Sequence, residues 1–279
     1  MKKMKHLRVR TVIHLSLVLF FLTWVSASAA DRVEVPLTNP AKPVVLKAKV
    51  LSGSIMVKGT SAKQVIVEAA VRKSEKKEVA EPDDKAKGMK LIQTSGTGLE
   101  VEEDNNEVNI RTRSWSNAVD LTIQVPRAAS LHLHATNNGK IVVEKVSGDM
   151  EISNVNGPIT MTAVAGTVVA HSVNGVVTIA FDSINLEKPM SFSTLNGDID
   201  VTFPKNLKAN VKLNTSHGNI YSDFEIAMKQ GPGKVMKKSN EGGKFKVTFD
   251  KTLYGAINGG GEEYTFKTFN GNIYIRAKK

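Results

Sequence analysis

Four carboxylates are spaced as acid–base catalysis requires: Asp149 with Glu151, and Asp198 with Asp200. Members of each pair are two residues apart, so on a strand both point to the same side. Polysaccharide lyases and hydrolases built on parallel β-helices gather several such groups on one outward face. Here the pairs follow corners of different type, Ser147-Gly148 and Asn196-Gly197, which predicts different faces and no cooperation. His132 and His134 alternate with Leu131, Leu133 and Ala135, so both imidazoles are expected outward and close enough to share a metal. No third ligand accompanies them. Cys is absent, which removes thiolate metal sites, disulfides and a cysteine nucleophile. No phosphate loop, dinucleotide fingerprint or Ser/His/Asp order occurs, and Gly259-Gly260-Gly261 precedes no helical pattern. These residues predict no catalytic site, no cofactor and no metal.

The elements that carry them are written in a repeat. Gly139, Gly148, Gly157, Gly166 and Gly175 are nine residues apart. Two and four positions after each Gly stand apolar residues such as Ile141 and Val143, or Ile159 and Met161; seven after the first four stand Val146, Val155, Val164 and Val173. Alternation after the Gly marks a short strand with one buried face. The corners alternate between Asn-Gly and Ser-Gly or Ala-Gly, so the full unit is 18 residues. Asn-Gly continues at Gly197, His-Gly at Gly218 and Asn-Gly at Gly271, after steps of 22, 21 and 53 residues. A small polar residue precedes each of these corners (Thr136, Asn154, Ser172, Thr194, Thr215, Thr268). The pattern always reads in one sense, which suits parallel stacking: an all-β, single-stranded parallel β-helix of about 18–22 residues per coil, right-handed by the usual crossover rule. An antiparallel meander of Asn-Gly hairpins is the alternative. The inward stack is expected to hold Ile141, Val143, Ile152, Val155, Ile159 and Val177, and the corners at Gly157 and Gly175 to have φ > 0.

Outside the repeat, Leu51–Val57 is an early copy, and Asp104-Asn105-Asn106 reads as a hairpin turn. Leu121–Val125 is a strand ended by Pro126; Leu186–Pro189 and Gln230–Gly243 read as loops. The mixed-charge stretch at about 72–90 reads as a solvated loop.

Residues 1–30 read as a cleaved secretory signal: a basic start, an apolar stretch from Val12 to Val25, then Ala27-Ser28-Ala29-Ala30. The mature domain is then 31–279, with no membrane span and a periplasmic or extracellular address. Removing the five basic residues Lys2, Lys3, Lys5, Arg8 and Arg10 lowers the net charge from +11 to +6. The remainder is scattered, so nucleic acid is not an expected partner. Apolar residues at 41 % and charged residues at 23 % exclude a disordered chain.

The outward positions after the Asn-Gly corners define a candidate contact stripe. It runs from Val142 and Val176 to Asp198 and Asp200, then to Tyr221 and Tyr274. An apolar, tyrosine-bearing stripe differs from a purely solvated face, and tyrosine rings stack on sugars or pack on proteins.

Val50–Val57, Asp120–Pro126, the Asn-Gly-x-Ile repeats, Val201–Pro204, Leu213–Ile220 and Thr268–Ile273 together resemble the putative adhesin (Toastrack) family of bacterial envelope proteins. The resemblance covers nearly all of the mature chain, departing at His217 and in the charged insert. It implies a β-helix outside a membrane, linked to surface attachment or envelope-stress signalling, with no catalytic residues to carry over. The expected function is a non-catalytic interaction or scaffold module whose partner is a protein or an envelope polysaccharide. The alternatives are a carbohydrate-active β-helix enzyme and a regulatory partner of a signalling system. Oligomeric state is left open.

Overall fold

Short runs of β-branched residues alternating with polar ones fold as strands when one side can be buried. The computed structural model describes residues 30–72, 96–114, 117–229, 237–241, 244–248 and 252–279. The expected signal segment 1–29 and most of the charged stretch fall outside them. In chain order the first strands are β1 (Asp31–Pro36), β2 (Val44–Ser52), β3 (Ile55–Thr60), β4 (Gln64–Val71), β5 (Leu99–Asp104), β6 (Glu107–Thr112) and β7 (Val119–Pro126). The repeat forms β8 (Ala129–Asn137), β9 (Ile141–Glu144), β10 (Ser147–Asn156), β11 (Ile159–Asn174), β12 (Val177–Ile184), β13 (Met190–Asn196), β14 (Ile199–Phe203), β15 (Ala209–His217) and β16 (Ile220–Ser222). The last are β17 (Ile226–Lys229), β18 (Lys237–Glu241), β19 (Lys244–Thr248), β20 (Leu253–Ile257), β21 (Glu263–Asn270) and β22 (Ile273–Ala277).

The chain is a β-solenoid. Each coil contributes one strand to each of two parallel ladders, and the Asn-Gly corner joins them. Sheet I runs β5-β6-β2-β8-β10, the second half of β11, then β13-β21-β15-β20-β17. Sheet II runs β1-β4-β7-β3-β9, the first half of β11, then β12-β14-β22-β16. The coils are parallel throughout; antiparallel pairs occur at the ends, at β1–β4–β7 and β5–β6 on one side and β15–β20–β17 on the other. The order of coils in space departs from the order in the chain at both ends. The β2/β3 coil sits between β6/β7 and β8/β9, and the β21/β22 coil sits between β13/β14 and β15/β16.

The core is two stacks of like positions. In sheet II, Ile55, Ile141, Ile159, Val177, Ile199 and Ile273 are all fully buried, one above the next. In sheet I the column is Leu46, Leu131, Met150, Val168, Met190, Tyr264 and Val211. Toward the β21/β22 coil the core turns aromatic: Phe181 stacks on Phe203 at 5.3 Å, and Phe192 lies 5.0 Å from Phe266. Each such side chain contributes about 1.5–3 kcal/mol on burial.

Two polar columns fix the corners. Asn156, Asn174, Asn196 and Asn270 each donate a side-chain N–H to the amide oxygen of the Asn in a neighbouring coil, at 2.9, 2.8, 2.7 and 2.8 Å, a ladder that starts at Asn137. Just inside it, Asn154, Ser172, Thr194, Thr268 and Thr215 donate to the carbonyls of Gly139, Gly157, Gly175, Gly197 and Gly271 at 2.9–3.1 Å. The residue types before each corner are therefore set by the need to satisfy buried backbone oxygens.

Several expectations are corrected. Val155 is half-buried and outside the inward stack, because β10 keeps its two-residue period through Met150, Ile152 and Asn154, and Asn154 takes the inward place. Thr136 is likewise outward. Ala135 pairs with Asn154, and an extra residue, Asn138 with φ 56°, is absorbed at that corner. Gly157 and Gly175 are not among the positive-φ residues. They are glycines because a Cβ would lie 1.9 Å from the Gly139 carbonyl oxygen and 2.1 Å from that of Gly157. The Gln230–Gly243 stretch contains strand β18, paired antiparallel with β19; its other residues lie outside those described. The Asp104–Asn106 hairpin (Asn105 φ 51°, Asn106 φ 66°), the strand ending at Pro126 and the Leu186–Pro189 connection are found as expected.

Candidate functional site

The outer side of sheet II carries the stripe in regular rows. Val142, Thr160, Thr178, Asp200, Tyr274 and Tyr221 occupy successive rungs of one row. Tyr274 precedes Tyr221 along the axis, the reverse of their order in the chain, because β22 lies between β14 and β16. Residues 53 apart in sequence thereby become neighbours.

Asp198, Asp200, Tyr221 and Tyr274 are brought together. The two tyrosine rings stack in parallel, 5.2 Å between centroids and 10° between planes, with Tyr221 half exposed. Arg276 lies 5.1 Å from the Tyr274 ring centre and grips Asp200 with two bonds, Nε to Oδ1 at 2.7 Å and Nη2 to Oδ2 at 3.0 Å. That guanidinium–carboxylate pair holds the Arg276 charge firmly on and lets it face the ring as a cation–π partner. Asp198 accepts the Asn272 backbone N–H at 2.7 Å, while the Asn272 side chain donates to the Tyr274 hydroxyl at 3.2 Å. Val176, 42 % exposed, lies one rung from Asp198 in the corner row. Val142 is three rungs from Asp200, about 14 Å along the axis, and only half-exposed. The tyrosine cluster and Val142 are therefore separate places. Asn272 is the outward neighbour of Tyr274 that the corner spacing predicts, whereas Arg276 was not anticipated; its signal was the alternation Asn272-x-Tyr274-x-Arg276, which puts all three on one side of β22.

The other chemistry-bearing residues are dispersed as the corner types predict. Asp149 and Glu151 lie on the outer side of sheet I, paired with Lys188 at 2.8 Å and His132 at 3.2 Å. Each of the four carboxylates has a salt-bridge or hydrogen-bond partner, and the two pairs lie on different sheets, so they do not combine in one site. His132 and His134 do face outward together on sheet I, but among the described residues no group of three or more His, Cys, Asp or Glu side chains could hold a metal ion. No helix among the described residues is long and apolar enough to cross a membrane. Gly139, Gly157, Gly175, Gly197, Gly271 and Gly218 stack at the Asn-Gly side, and Gly148 and Gly166 at the opposite corner.

No curated protein matches the chain. Among solved structures, a "putative cell adhesion protein" from Clostridium sporogenes is 12 % identical, with a TM-score of 0.43, over 90 % of this chain and 100 % of that one. A "putative adhesin" from Bacteroides fragilis is 9 % identical, with a TM-score of 0.29, over 89 % and 98 % of the two chains. The family model described as Toastrack DUF4097 matches residues 45–276, from the first coil to the last, and the chain belongs to that family.

Proposed function

We propose that this chain is an exported, non-catalytic recognition module of the bacterial envelope, adhesin-like in action. Its leader is residues 1–30 and its solenoid domain 31–279, in the periplasm or outside the cell. The observation that carries the reading is the stacked Tyr221–Tyr274 pair, held at the surface by Arg276 and Asp200. The half-exposed Tyr221 ring, backed by Tyr274 and set beside fixed carboxylate, guanidinium and amide groups, offers what a saccharide ring or a protein loop requires: an apolar surface to pack on and directional polar groups at its edge. The tied carboxylates favour this reading over a carbohydrate-active enzyme. A regulatory partner of an envelope signalling system would use the same face to bind a protein.

The test is the double substitution Tyr221→Ser with Tyr274→Ser. Because Tyr221 is half exposed, the melting temperature should change little, while retention on isolated envelope polysaccharide, or of a purified partner, should fall by about ten-fold, the equivalent of ~1.4 kcal/mol. Undiminished retention by the folded variant excludes this face.

A further inference from the structure

The coil order that brings the tyrosines together on sheet II does something different on the outer side of sheet I. There β2 lies between β6 and β8, so Lys49 is flanked by Arg111 on one rung and His134 on the other. Lys47 is flanked in the same way by Asn109 and His132. These side chains, with Glu151 and Ser153 from β10, line an open cleft on the sheet surface.

The charges in the cleft divide into two groups. Lys47 is neutralised by Glu107 at 2.6 Å, and His132 faces Glu151 at 3.2 Å. Lys49 and Arg111 have no salt bridge among the described residues. Glu100, opposite Arg111 on β5, pairs instead with Arg113 at 2.7 Å. The same row continues without a carboxylate through His134, Ser153, His171 and Ser193 to Lys267. Two cations without a salt bridge stand on adjacent rungs whose backbones are about 5 Å apart, which makes the cleft locally positive and attractive to an anion. Burial and the nearby Lys49 ammonium hold the His134 imidazole below its ordinary pKa, so it stands neutral beside them and can donate one N–H.

We infer that this cleft binds a tetrahedral dianion, a phosphate group, between Lys49 and Arg111, with His134 and Ser153 as additional donors. The two free positive charges match a dianion in number. The guanidinium fork and the ammonium approach it from neighbouring rungs, and charge-assisted bonds of this kind are the strong ones. The lining contains no Phe, Tyr or Trp, so a nucleobase would find no stacking platform there. The site uses no residue of the tyrosine cluster, so either can fail without the other.

The experiment follows the His134 imidazole by NMR in the full chain as inorganic phosphate, glucose 6-phosphate or glucuronate is added at low salt. Both phosphates should shift the resonance saturably and move its titration to higher pH, since an anion favours the imidazolium. The groups facing His134 are Lys49 on β2, Arg111 beyond it on β6, and Ser153 on β10, with Glu151 and His132 on the adjoining row; the Thr136 hydroxyl lies 3.3 Å from its Nε2, which leaves Nδ1 for the anion. At about pH 8, where both phosphates are dianions, glucuronate, a monoanion, should bind more weakly. Lys49→Ala with Arg111→Ala should weaken phosphate binding about ten-fold or more, both side chains being exposed enough to be lost without unfolding. Tyr221→Ser with Tyr274→Ser should leave it unchanged. No saturable shift, equal binding by the Lys49/Arg111 variant, or tighter binding of glucuronate than of phosphate would overturn the assignment.

Discussion

A Cβ at Gly157 would have to share space with the carbonyl oxygen of Gly139, 1.9 Å away, and would also stand 3.0 Å from the Asn154 amide. Neither neighbour is the free end of a flexible chain: one is backbone, the other is committed to the Gly139 carbonyl and to Pro158. Gly157→Ala should therefore destabilise by about 1–3 kcal/mol through overpacking. Gly157→Asn should do at least as badly, although asparagine would be the mild choice if a left-handed corner were the reason for the glycine. Gly96→Ala, where nothing lies within 4 Å and φ is ordinary, is the matched control and should shift stability by less than about 0.5 kcal/mol. Thermal melts of the three variants decide the matter; a stable Gly157→Asn would restore the φ argument.

At the level of strands and corners, the asparagine ladder is the device to test. Asn174 gives one side-chain bond to Asn156 and receives one from Asn196. Asn174→Ala removes both, and at about 0.5–1.5 kcal/mol net per bond it should lower stability by about 1–3 kcal/mol, read from denaturant midpoints. Asn219, exposed beside the His217-Gly218 corner, outside the ladder and without a positive φ, should tolerate the same change far better; equal losses would mean that the corner, not the ladder, holds the coil. This regularity is why so much was legible in the sequence. A rung every 18 residues repeats its Asn, its Gly and its inward Ile, and the repeat alone yields parallel strands with unlike corners. His217 departs from Asn where only one neighbouring rung exists, and its ring packs against Phe269 at 5.1 Å instead. What failed to show was anything set by the order of coils. Lys49 and His134 are 85 residues apart, and no local pattern says that β2 rests on β8. The Val155 position misled because the apolar column seven residues after each Gly mixes two corner types. Val146 and Val164 are buried, whereas Val155 and Val173 sit where the inward place belongs to Asn154 and Ser172.

For the whole molecule, the placement of the β21/β22 coil carries the largest energetic stake. It buries Tyr264, Phe266, Ile273 and Ile275 between two other coils. At about 1.5–3 kcal/mol each, those four side chains outweigh much of the ~5–15 kcal/mol by which a domain is stable. A chain ended after Asn258 should lose cooperative unfolding and expose β13 and β15 as open edges; a sharp, unshifted melt would show that β15 re-docks directly on β13. A solenoid whose last coil is outermost can be unwound one rung at a time by a pull on that end. Here, tension entering through Ala277 meets a strand clasped on both sides, by β14 and by β16, with Lys278 tied to the Phe203 carbonyl at 2.8 Å and to Asp182 at 2.8 Å. Drawing it out requires two ladders to rupture together, so this strand should resist pulling far better than an outermost one.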